Sequence, residues 1–179
     1  MVKRLMVVSA AVLCTQQLLA KIDMGTPFSD HAVLQRGMKL PVWGTAAAGN
    51  DVSVDFAGQK VSSKVGADGK WRVDLSPLEA SAVSRKMIVT ECAPNGGAPV
   101  DTVEVNDVVV GEVWLASGQS NMECPIWGKN PRYRDANGGL MVTSTFLNNI
   151  RFAAVEHKWS VEPIAQKTPW RRFNPKELT

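Results

Sequence analysis

The sequence predicts a mainly β protein: a small N-terminal β-sandwich followed by the first strand and turn of an α/β unit. Three observations predict it. Between Asp23 and Asn106, apolar and polar residues alternate in short runs, the period of strands with one buried face. Those runs are separated by Ala57-Gly58, Ala67-Asp68-Gly69 and Pro94-Asn95-Gly96-Gly97, which supply residues that tolerate tight or positive-φ turns. Finally, Val108 to Ala116 is apolar almost throughout and stops at the polar turn Ser117-Gly118-Gln119-Ser120-Asn121, as a buried strand does when it ends in a loop.

The first twenty residues read as a secretory leader. Lys3 and Arg4 form a charged start, and Leu5 to Leu13 is an apolar segment too short to span a bilayer. Cleavage is expected after Ala20, which makes the protein exported, periplasmic or extracellular, with no membrane span in the mature chain. Leu18 is larger than the small residue usually found three positions before a cut, and Leu13 before Cys14 disfavours a lipoprotein. A buried helix is the alternative, disfavoured by the missing caps.

From residue 21 to 106 the strands follow one another. Val52, Val54 and Phe56 alternate with Asp51, Ser53 and Asp55, and Trp71, Val73 and Leu75 alternate with Arg72 and Asp74. Each set has one apolar face, and two sheets packed face to face bury both. Trp43, Trp71 and Trp114 sit inside strand patterns and are read as core residues.

A chain of 179 residues with 45% hydrophobic and 21% charged residues builds a real core, which excludes a disordered segment. The formal charge is only +3, and Lys3 and Arg4 of the leader contribute to it; nothing there calls for nucleic acid. No internal repeat, cofactor motif or metal-ligand spacing is present. Cys92 and Cys124 are either bridged in an oxidising compartment or left as free thiols; without close spacing they give no zinc signature.

The turn at Ser120 carries the candidate chemistry. A serine at the carboxyl end of a strand is placed to attack an ester carbonyl, with its own backbone N–H helping to hold the oxyanion. By residue type alone, Ser120 capping a helix is the commoner meaning, and Glu123 fits such a start.

Resemblance shifts that balance. "GQSNM" after the tryptophan-bearing strand is similar to the nucleophile block of the sialate O-acetylesterase family, whose catalytic domain belongs to the SGNH hydrolases. "PFSDHAVLQRG" (Pro27 to Gly37), "LPVWGTA" (Leu40 to Ala46), "DGKWRVDLSPL" (Asp68 to Leu78) and "NNIRF" (Asn148 to Phe152) resemble landmarks of that family in the same order. The resemblance implies a β-sandwich over 21–106 and, over 107–179, the start of a truncated α/β SGNH-type esterase domain. It implies Ser120 as the catalytic nucleophile, with Gly118, Gln119 and Asn121 shaping the turn and supporting the oxyanion. Trp127, in the loop after the turn, is a candidate substrate contact. The substrate would be an O-acetylated sugar or sialoglycan, hydrolysed through an acyl-serine without cofactor or metal.

A serine needs a base within hydrogen-bond reach, and the chain holds two histidines, His31 and His157. Ser29-Asp30-His31 makes no triad by proximity, because neighbours in a strand point to opposite faces. His31 is read as structural, where the family more often has asparagine, and His157 as a surface residue. The resemblance places the general base in a late Asp-x-x-His pair that this chain lacks, so the chain alone is expected to be inactive. Beyond the turn the sequence predicts a polar, glycine-containing loop (Lys129 to Gly139), a short strand at Ile150 to Val155 and a proline-containing tail. The competing class is a non-catalytic β-sandwich that binds glycan or a partner.

Overall fold

The computed structural model describes residues 21–118, 149–155, 158–162 and 166–173. They contain no α-helix and ten strands: β1 (Asp23–Met24), β2 (Val33–Gln35), β3 (Leu40–Thr45), β4 (Asp51–Phe56), β5 (Gln59–Lys64), β6 (Lys70–Leu75), β7 (Ser81–Cys92), β8 (Pro99–Gly111), β9 (Arg151–Phe152) and β10 (Arg171–Arg172).

Alternation sets the two main sheets. In β4, Val52, Val54 and Phe56 are fully buried; in β6, Trp71, Val73 and Leu75 are buried while Arg72 and Asp74 face water. These two faces belong to different sheets, β1-β3-β6 and β2-β8-β7-β4-β5. Their side chains join Leu40, Val42, Met87, Val89 and Val108 in one continuous core. The fold is therefore a β-sandwich, as the alternation predicts. β5 forms one edge of the larger sheet and carries Lys60 and Lys64 outward. β2 forms the other edge in three residues, paired parallel to β8 from Val33↔Val109 to Gln35↔Gly111.

Turn chemistry fixes the hairpins. Phe56 pairs with Gln59 across a two-residue loop whose members, Ala57 and Gly58, have φ of 53° and 79°, the left-handed conformation a tight hairpin needs. Between β7 and β8 the same role falls to Asn95 and Gly96, at 62° and 71°.

One polar residue enters the core. Glu91 follows Met87 and Val89 on the inward face of β7 and is fully buried. Its Oε1 accepts the Asn50 side-chain amide at 2.6 Å and the Ala47 backbone N–H at 3.0 Å, so the acid ties down the loop before β4.

Several expectations change. The strand expected over Val108 to Ala116 stops at Gly111, because β7 offers β8 its last partner at Ser81↔Val110 and β2 at Gln35↔Gly111. β8 itself runs from Pro99 through position 106, with a register shift against β7 between the Met87↔Val105 and Arg85↔Val108 pairs. Trp114 and Leu115 consequently lie 85% and 92% exposed, and Trp114 is no part of the sandwich core. Trp43 also faces outward, because Val42 takes the inward position of β3. The strand expected over Ile150 to Val155 is reduced to β9, which pairs with β10 and with no longer strand.

Candidate functional site

The chain leaves the sandwich at Gly111 in a defined direction. Gln35 caps the end of β8: its Oε1 accepts the Val113 N–H at 2.8 Å, and its Nε2 donates to Glu112 at 2.9 Å. A side-chain amide thus stands in for a missing ladder partner. Residues 112–118 then run without regular structure to an exposed Gly118. Gln119, Ser120, Asn121 and Trp127 lie outside the described residues, as do His157, Cys124 and the leader. Cys92 is a half-buried free thiol.

Where the chain returns, it meets a polar cluster built on Asp107. Two non-glycine residues there adopt left-handed backbone, His31 at φ 68° and Asp107 at φ 57°. Both are types that tolerate it. Their neighbourhoods are tied by two hydrogen bonds: the His31 N–H donates to the Asn106 carbonyl at 2.9 Å, and the Asn106 N–H donates to the Asp30 side chain at Oδ1, 2.6 Å away. His31 therefore sits in a turn before β2 and not in a strand.

The Asp107 side chain, 11% exposed, gathers three cationic groups or potential cations. His31 Nδ1 lies 2.6 Å from Oδ2, Arg172 Nε 2.7 Å from Oδ2, and Arg151 Nη2 3.0 Å from Oδ1. Arg151 Nη1 also donates to the Asp107 carbonyl. The Arg172 hydrogen bond, then those of His31 and the charge of Arg151, outweigh burial and hold the Asp107 carboxyl well below the usual carboxylate range. Facing a carboxylate, which only accepts, His31 Nδ1 is the donor of this hydrogen bond. That is the acid–histidine half of a catalytic triad in chemical type. No hydroxyl of the described residues completes it.

The cluster fastens β9 and β10 to the sandwich. The Arg151 side chain is only 6% exposed, so leaving it unpaired there would be costly. Trp170 adds two bonds, from its N–H to Ser29 Oγ and from Nε1 to the Pro27 carbonyl, both 2.9 Å. The Thr26 hydroxyl donates to the Gln166 carbonyl at 2.7 Å. The segment on the far side of Ser120 is thus docked on the 26–32 turn and the end of β8. Sequence reasoning passed over Asp107, Arg151 and Arg172. The signals available were the Asn106-Asp107 pair, turn formers set inside an apolar run, and the arginine of "NNIRF". Among the described residues no group of three or more His, Cys, Asp or Glu side chains is placed to hold a metal, and no helix is long and apolar enough to cross a membrane.

Comparison with known proteins places this arrangement. Over 91 residues the chain is 34% identical to a sialate O-acetylesterase of Rattus norvegicus and 33% identical to that of Mus musculus. Among solved structures, a carbohydrate acetylesterase from Xanthomonas citri matches 88% of this chain at 30% identity with a TM-score of 0.69. The chain is similar to the sialate O-acetylesterases. No family model matches it. The similarity to those sialate O-acetylesterases covers 48% of this chain and 16% of each relative, and 34% of the solved esterase is covered.

Proposed function

We propose that this chain supplies the β-sandwich and the nucleophile-bearing turn of an exported carbohydrate O-acetylesterase with an SGNH-type catalytic domain. The observation that carries the reading is the 30% identity and TM-score of 0.69 to a carbohydrate acetylesterase along 88% of the chain, together with Gly118-Gln119-Ser120-Asn121 just beyond β8. In this reading the sandwich spans about residues 21–106 and the esterase part follows. Ser120 attacks the acetyl carbonyl of an O-acetylated sugar or sialoglycan. Its own N–H supports the oxyanion, and the acyl-serine is then hydrolysed. The exposed Val113, Trp114 and Leu115 suit a segment that enters a further packed layer.

The test is acetate release from O-acetylated sialic acid, with fluorophosphonate labelling of Ser120. The chain by itself is expected to show neither above a Ser120→Ala control, because an unassisted serine is a poor nucleophile. The product extended through any downstream coding sequence should show both, and Ser120→Ala in that product should abolish them. An extended product inactive on every acetylated sugar would sink the esterase reading in favour of a non-catalytic glycan-binding sandwich. Export is checked separately: the mature N-terminus should lie near Lys21.

A further inference from the structure

A groove of about 610 Å³ opens along β1, β3 and β6, a size that suits a small ligand. Trp43 lines it, 39% exposed on the outer face of β3. This tryptophan is solvent-facing yet held. Gly25 lies against its indole so closely that a Cβ there would fall 2.3 Å from Nε1. Phe28 packs edge-on, with ring centroids 4.8 Å apart at 78°. An aromatic face fixed before any ligand arrives binds at a low ordering cost, and the apolar face of a sugar ring is a natural complement to it.

The charges around the groove leave one cation over. Lys64, Lys70, Arg72 and Lys167 line it against a single carboxylate, Asp23. Lys64 makes no ion pair among the described residues. Lys167 pairs with Asp23, Arg72 with Asp74 and Lys70 with Asp68, all between exposed side chains; such pairs are weak and exchange easily for another anion. Trp71, 3% exposed, also lines the groove, and its Nε1 is buried with no hydrogen-bond partner among the described residues. That nitrogen is closed off from solvent, so Trp71 contributes the wall of the groove and not a polar contact in it.

We infer that this groove is a binding site for a carboxylate-bearing sugar, with Trp43 as the stacking platform and Lys64 as the principal charge partner. It stands apart from ester hydrolysis, because N-acetylneuraminic acid carries no O-acetyl ester and its binding can be measured without turnover.

The test is titration of the full chain with N-acetylneuraminic acid, glucuronic acid and neutral N-acetylglucosamine, read by saturation-transfer NMR and calorimetry. At least one of the acids should bind five-fold or more tightly than the neutral sugar, on the order of 1 kcal/mol, and the preference between the two acids names the source. Trp43→Ala should weaken binding ten-fold or more. Lys64→Glu, a change on an exposed strand face that leaves folding intact, should weaken it at least five-fold. Trp114→Ala, more exposed than Trp43 and outside the groove, should leave it unchanged. The inference is overturned if the neutral sugar binds as well as both acids, if no sugar binds, or if Lys64→Glu and Trp43→Ala bind like the parent chain. None of these results bears on whether Ser120 hydrolyses esters.

Discussion

Val54 at the centre of β4 and Arg151 at the start of β9 are both buried, but for different reasons. Val54 is enclosed by apolar side chains from both sheets, and no single neighbour decides its place. The Arg151 side chain is buried because the carboxylate and carbonyl of Asp107, with the Ala32 carbonyl, accept its guanidinium. The sandwich rests on many non-directional contacts. The segment of β9 and β10 rests on a few directional ones. The two regions should therefore fail separately, and the segment should fail first.

The largest effect is expected from the core. Phe56→Ala removes a fully buried ring and should lower global stability by about 3–5 kcal/mol. Urea unfolding followed by far-ultraviolet dichroism reads it, and sandwich and returning segment should be lost together. A loss under about 1 kcal/mol would mean the core is not the continuous one described.

Asp107→Ala should separate the regions. It leaves the buried Arg151 guanidinium without its counter-charge, a cost of about 3 kcal/mol that the segment avoids by detaching. Opening of residues 149–173 should become on the order of 100-fold more favourable, read as faster tryptic cleavage after Arg151, Arg171 and Arg172 under native conditions. The urea midpoint of the sandwich should barely move. Loss of the whole fold would show that the sandwich depends on the cluster.

Acid tests the same bond more gently. The folded-state carboxyl of Asp107 is held well below the ordinary aspartate range, so its contribution is fully present above about pH 4 and lost as pH falls toward the depressed folded value. Cleavage of the segment, assayed with an acid-active protease, should rise below pH 4. In Asp107→Asn that acid-dependent rise should be absent. The smallest effect belongs to the exposed pair Lys86–Glu104, 2.7 Å apart on β7 and β8. Lys86→Ala should change stability by less than about 0.5 kcal/mol, and a larger loss would mean that surface charge holds the sheet more than its core does.

What was legible in the sequence follows the same division. Val52, Val54 and Phe56, and Trp71, Val73 and Leu75, announce their faces because burial repeats with the strand period. Ala57-Gly58 announces its turn because few residues take positive φ. Trp43 and Trp114 misled for one reason: apolar character alone was read as burial. Trp43 sits out of phase with Val42, and Trp114 lies past the last position at which β8 has a partner. Glu91 was hidden because a buried acid needs partners in the 47–50 loop, which no period records. The Asp107 cluster was hidden more deeply, since His31, Arg151 and Arg172 converge from three separate parts of the chain. Ser120 could be singled out by motif, while its surroundings lie outside the described residues.

The parallel pairing of β2 with β8 bears on the order of assembly. The β4–β5 and β7–β8 hairpins close over short loops, whereas Asp30 and Asn106, which join the ends of β2 and β8, are 76 residues apart. Contacts of such separation carry a larger closure cost and form late. We expect Val109→Ala to speed unfolding while leaving the refolding rate nearly unchanged, which stopped-flow fluorescence would read; an equal slowing of refolding would contradict it. His31 reaches Asp107 only after that late step. A half-built sandwich therefore offers no seat for Arg151, and during synthesis β9 must wait undocked until everything before it has closed.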